Sequence, residues 1–230
     1  MKKLIFLFFT CLGLSAYSQE NIISLQGGVA IPQSIDMKDV SKTIGYCSGI
    51  DYSRYLYGGK KTKVNLLVDL KTSIFQIVDA ISSNGYTMFV YGGHTYREFS
   101  AGIGLSSIQE IGNRGLFLGV HLELAGFYNR EPNIGYTTFV HDENGNPLEL
   151  KGWMTADDGV SIGYNLGFDF YKMLSKNFGI GVQYDIFSTV RNNTSYVYIT
   201  QPETYYTQSI NDFKEKIVYM CGQLKCIYSF

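Results

Sequence analysis

His121 and Glu123 stand two residues apart in the stretch "GLFLGVHLELAGFY". On an extended chain that spacing puts both side chains on one face with backbones ~7 Å apart, and a carboxylate beside an imidazole is the beginning of acid–base catalysis. The rest of a catalytic set is missing. The histidines, His94, His121 and His141, form neither an HExxH motif nor a His-rich tract, so they give no metal-ligand signature. No GxSxG is present, and no serine sits beside a histidine with a convincing third member. The pair therefore reads as part of a hydrogen-bonded network, and the chain offers no catalytic, cofactor-binding or metal-binding residue to nominate.

The elements that must position these side chains are strands. "TKVNLLVDLKTSIFQIV" sets Val64, Leu66, Val68, Leu70 and Ile74 against Asn65, Asp69, Lys71 and Ser73, a two-residue period held well beyond the ~5 to 6 residues of an average strand. "GVSIGYNLGFDFYKM" sets Val160, Ile162, Tyr164, Leu166, Phe168 and Phe170 against small and polar residues in the same way. Nineteen tyrosines and fifteen phenylalanines add to the strand-forming bias. Eight alternating segments follow, at 21–31, 43–57, 62–78, 94–107, 115–129, 159–173, 178–191 and 213–230, with ends uncertain by ~2 to 4 residues. Short links ("GGKK", "QEIGNR", "LSKN") alternate with long ones. Strand length, even number and this asymmetry predict an all-β fold, an antiparallel up-and-down transmembrane barrel with short periplasmic turns and long extracellular β-hairpin loops, in preference to a secreted sandwich or a lipocalin-like barrel.

Both ends support export to a membrane. "MKKLIFLFFTCLGLSAYSQ" has the basic, apolar and small-residue order of a secretory signal, which predicts a cleaved segment 1–18 and a barrel domain 19–230. At the other end Val218, Met220, Gly222, Leu224, Cys226, Tyr228 and Phe230 share one face, as for a lipid-facing strand ending in an aromatic girdle. This tail, with Tyr228 and Phe230 as its assembly signal, resembles the carboxy-terminal signal of Gram-negative outer-membrane barrels. The mature chain resembles the small PorT-like outer-membrane β-barrel group widespread in Bacteroidota. The resemblance implies an outer-membrane location, insertion by the barrel-assembly machinery, contact with outer-membrane lipid and lipopolysaccharide, and a role in the envelope or in secretion. A net charge of −1 with no basic stripe argues against nucleic acid.

With eight strands the interior is filled by side chains. The residues predicted to point inward include Asp51, Asp69, Lys71, Glu98, His121, Glu123, Asp169, Asp185 and Lys225, interleaved with Gly102, Gly104, Gly119, Gly163, Gly167 and Gly181. Acids exceed lysines, so arginines from strand ends, water or a cation must balance them. Cys47, Cys221 and Cys226 are expected to be free thiols, odd in number. The long links "NIGYTTFVHDENGNPLELKGWM" and "TSYVYITQPETYYTQSI" predict β-hairpins above the membrane. Their aromatics Tyr136, Phe139, Trp153, Tyr196, Tyr198, Tyr205 and Tyr206 are candidate anchors for an extracellular protein or glycan. The functional expectation is a non-enzymatic barrel that anchors these loops. The alternatives are a narrow conduit for a small solute and, further off, a lipid-modifying enzyme.

Overall fold

A computed structural model describes residues 21–34, 44–59, 61–77, 80–83, 86–92, 95–112, 115–130, 134–141, 144–156, 158–201 and 208–230. The signal segment and Tyr205 and Tyr206 therefore lie outside the described residues. Eight strands form the barrel: β1 (Asn21–Pro32), β2 (Gly45–Gly58), β3 (Thr62–Gln76), β6 (Thr95–Ile111), β7 (Leu116–Arg130), β10 (Gly159–Met173), β11 (Phe178–Gln201) and β12 (Gln208–Ser229). Four shorter strands lie in the long links: β4 (Ala80–Ser83), β5 (Tyr86–Gly92), β8 (Ile134–His141) and β9 (Pro147–Ala156).

Each barrel strand pairs antiparallel with the next, in the order β1, β2, β3, β6, β7, β10, β11 and β12. Pairing of β1 with β12 then closes the ring, which leaves no barrel edge. The seam is finished by two backbone hydrogen bonds, Asn21 N to Phe230 O at 3.0 Å and Phe230 N to Asn21 O at 2.9 Å. In the short link between β6 and β7, Gly112 and Gly115 take φ of +68° and +66°, which only glycine adopts at little cost.

Alternation along the strands decides inside from outside. On β12, Ile217, Tyr219, Cys221, Gln223, Lys225, Ile227 and Ser229 are buried, while Leu224, Cys226 and Tyr228 are exposed. The outer face is apolar and bare: Val160 is 79% exposed, Ile162 72% and Leu224 72%.

Above the barrel the strands are paired more extensively than the sequence predicts. β11 and β12 run on together beyond 191 and 213, Tyr198 pairing with Gln208, as a hairpin over 194–210 requires. The hairpin expected around "DENGN" forms from β8 and β9, but it does not stand alone. β9 pairs with the upper part of β11, and β8 pairs with β5. The β4–β5 hairpin was not anticipated from the sequence. The result is one sheet in the order β12, β11, β9, β8, β5, β4, continuous with the barrel wall.

Candidate functional site

The lumen is stratified, and the order is readable along single strands. On β7 it runs Phe117, then His121 and Glu123, then Phe127, and on β3 Leu67, then Asp69 and Lys71, then Phe75. Nearest the short turns, Ile108, Tyr171 and Ile227 pack with Ile22, Phe117 and Met173, and the rings of Phe117 and Tyr171 stack at 4.9 Å. Further up lies an aromatic layer. Phe187 stacks on Tyr219 at 4.7 Å, Phe75 meets Tyr219 edge-on at 5.4 Å, and Phe127 meets Phe187 at 6.3 Å. The charges are held between these two layers.

They form one connected network. Lys225 Nζ lies 2.9 Å from Asp169 and 3.0 Å from Asp51, and Ser24 Oγ donates to Asp51 at 2.7 Å. His121 Nδ1 is 3.0 Å from Asp169, and Nε2 is 2.9 Å from Asp185 and 3.3 Å from Glu123. Carboxylate oxygens at both ring nitrogens suit an imidazolium, in which both nitrogens donate. Lys71 Nζ lies 2.8 Å from Asp69 and 3.2 Å from Asp185, with the Phe187 ring centroid at 5.2 Å. Gln183 Nε2 donates to both oxygens of Asp185, and Asn165 Nδ2 donates to Glu123 at 3.3 Å.

Glycines make the space. A Cβ on Gly167 would fall on His121 Nε2 and Asp185 Oδ1, and one on Gly49 would lie 2.7 Å from Lys71 Cγ. At Gly102 a Cβ would meet Asp69 Oδ1 and Glu123 Oε2, oxygens without another hydrogen-bonding partner. These two carboxyls come together over the glycine.

Eight of the nine candidate luminal residues belong to this network; Glu98 does not. It is buried beyond the aromatic layer, close to Tyr219, Arg191 and Glu215. Arg191 and Glu215 were not among the candidates. They pair across β11 and β12 with Arg191 Nε donating to Glu215 at 2.8 Å, and their position in the alternation with Asp185 and Lys225 is the signal that would have found them. The network leaves His121 no nitrogen for exchanging a proton with a substrate, since carboxylates occupy both. A cavity of about 20 Å³ between Ser24, Asp51, Asp169, Tyr171 and Lys225 has room for one water.

Among the loop aromatics, Phe139 is 54% and Trp153 48% exposed, while Tyr196 and Tyr198 are half-buried. Tyr136 is not an anchor. It is 3% exposed, because its cross-strand partner is Gly152 and the tyrosine ring fills the space a Cβ would take there. Tyr228 and Phe230 are exposed and stacked at 6.0 Å on the outer wall. Cys47 and Cys221 are buried, Cys226 is exposed, and all three are free thiols.

No family model matches the chain, and no curated protein matches it. Among solved structures it is similar to Neisserial surface protein A, at 10% identity over 91% of this chain and 97% of that one, with a TM-score of 0.41. It is also similar to a major outer membrane protein from Thermus thermophilus, at 10% identity over 93% and 100%, with a TM-score of 0.48. A third is the outer membrane protein OprG from Pseudomonas aeruginosa, at 12% identity over 93% and 96%, with a TM-score of 0.46. Likeness at this level concerns the course of the chain and transfers no activity.

Proposed function

We propose that this protein is an integral outer-membrane barrel whose lumen is a sealed structural core, and that it acts by holding the β4, β5, β8, β9, β11 and β12 sheet outside the cell for contact with another macromolecule. The observation that carries this reading is the layering: a buried charge network closed below by Tyr171, Ile108 and Ile227 and above by stacked Phe187 and Tyr219. An ion crossing it would have to pass two apolar layers and break paired charges, whereas a conducting pore needs a continuous wet path. The bare apolar wall supports a lipid environment, because so much exposed aliphatic surface is untenable in water. A secretion-associated or envelope role, as the PorT-like resemblance implies, would use the upper sheet, where Phe139 and Trp153 are exposed.

Purified protein inserted into a planar bilayer tests this directly. The expected outcome is no steady current; steady channels would overturn the sealed core. Protease added to whole cells should cut at 142–146 or 202–207 and spare 58–61, and the reverse pattern would invert the orientation.

A further inference from the structure

On the outer wall, Arg97 of β6 and Arg130 of β7 are register partners, and both side chains are exposed on the lipid-facing side. Like charges directly opposite one another disfavour strand pairing. Among the described residues neither guanidinium has a carboxylate partner; the nearby Asp158 accepts instead from the Tyr128 hydroxyl at 2.6 Å. Two residues toward the barrel middle, ~7 Å along each strand, Phe99 and Tyr128 are the next outward register pair, their rings stacked at 6.3 Å. Below and beside these rings is an open groove of about 890 Å³. Its floor is made of the small residues Ser48, Thr72, Ala101 and Gly126, and Leu70 and Val160 help to wall it. Cation pair, aromatic pair and apolar groove thus follow one another from the long-loop end toward the barrel middle.

That order matches a membrane leaflet, with phosphates at the headgroup level and hydrocarbon beneath. We propose that the outer face of β6 and β7 binds one phosphorylated lipid of the outer leaflet, Arg97 and Arg130 holding its phosphate and the groove holding an acyl chain. Guanidinium groups suit phosphate through paired N–H donors, and a bound phosphate relieves the repulsion between the two arginines. The proposal rests on the outer-membrane reading with the long loops outward.

The test uses the full barrel in detergent with lipid A carrying two phosphates, followed by native mass spectrometry. A one-to-one adduct is expected, and Arg97→Gln with Arg130→Gln should reduce it by about tenfold or more. Dephosphorylated lipid A should be retained equally poorly. Gly126→Leu should also weaken retention, since space around Gly126 is open and the larger side chain fills the groove without disturbing the wall. Lys172→Gln, an exposed cation at the opposite rim, should leave the adduct unchanged, and its loss there would overturn the site. Equal adducts in the wild type and the double arginine variant would overturn it too. Displacement by millimolar inorganic phosphate would mean a free-anion site and sink the lipid assignment. The location is checked separately by fractionating cells: an adduct with protein absent from the outer membrane contradicts the location reading, whereas outer-membrane protein without an adduct contradicts only this proposal.

Discussion

The lumen and the sheet above it use polar and aromatic residues in opposite ways. Inside, Asp69, Glu123, Asp169 and Asp185 are almost wholly buried and aromatic rings stack on one another. Above, β8 and β9 leave Phe139 and Trp153 half exposed, and the ion pair of Lys151 with Glu149 sits in solvent at 3.3 Å. A buried charge that loses its partner is costly, while an exposed pair is worth little. The lumen is therefore intolerant of change and the upper sheet is free to vary, as the proposed role of that sheet in recognition requires.

The sharpest break in that contrast is at Gly167. Gly167→Val should abolish the folded barrel, since its Cβ would lie 2.2 Å from His121 Nε2, whereas Gly126→Ala, with open space around it, should fold normally. The mobility difference between folded and heat-unfolded bands on a gel reads both. Next, Lys71→Met leaves Asp69 and Asp185 short of a cation and should destabilise the barrel by about 3 to 5 kcal/mol in urea unfolding. Within the same network, Glu123→Gln should cost less, because Glu123 lies 3.9 Å from Lys71 and 3.3 Å from His121 and the amide oxygen can still accept from Asn165. Asp185→Asn, facing both His121 and Lys71, should be far more damaging. Equal midpoints for these two variants would show that distance to Lys71 and His121 does not set the cost. Last, Phe139→Ser with Trp153→Ser should shift the midpoint by less than about 0.5 kcal/mol while reducing capture of any surface partner.

How much of this was legible follows from which residues are forced to alternate. β3, β7 and β10 could be read because one face meets the packed interior and the other is apolar, so a one-residue error flips the whole pattern. The glycines opposite the charges were legible for the same reason. The upper sheet was not, since pairings such as Val197 with Met154 or Phe89 with Thr137 join segments distant in sequence and no local period records them. The β4–β5 hairpin did carry a signal, the Asn84-Gly85 dipeptide between them, typical of two-residue turns. Glu98 is buried, and its separation from the network depends on the ring of Tyr219 above the charges, which strand parity alone does not reveal.

Lys225 bears on how the ring finds its closing alignment. It stands on β12 beside the seam with β1, yet its ammonium bridges Asp51 on β2 and Asp169 on β10, strands two places away on either side. A slip of β12 by one residue would bring Leu224 or Cys226 to that level, and a slip by two would bring Gln223 or Ile227. None of these carries a positive charge, so a slip of one or two residues takes the ammonium away from Asp51 and Asp169 together. The side chain thus works as a proofreading pin: zipping the cylinder shut one or two residues out of register forfeits both of its buried ion pairs.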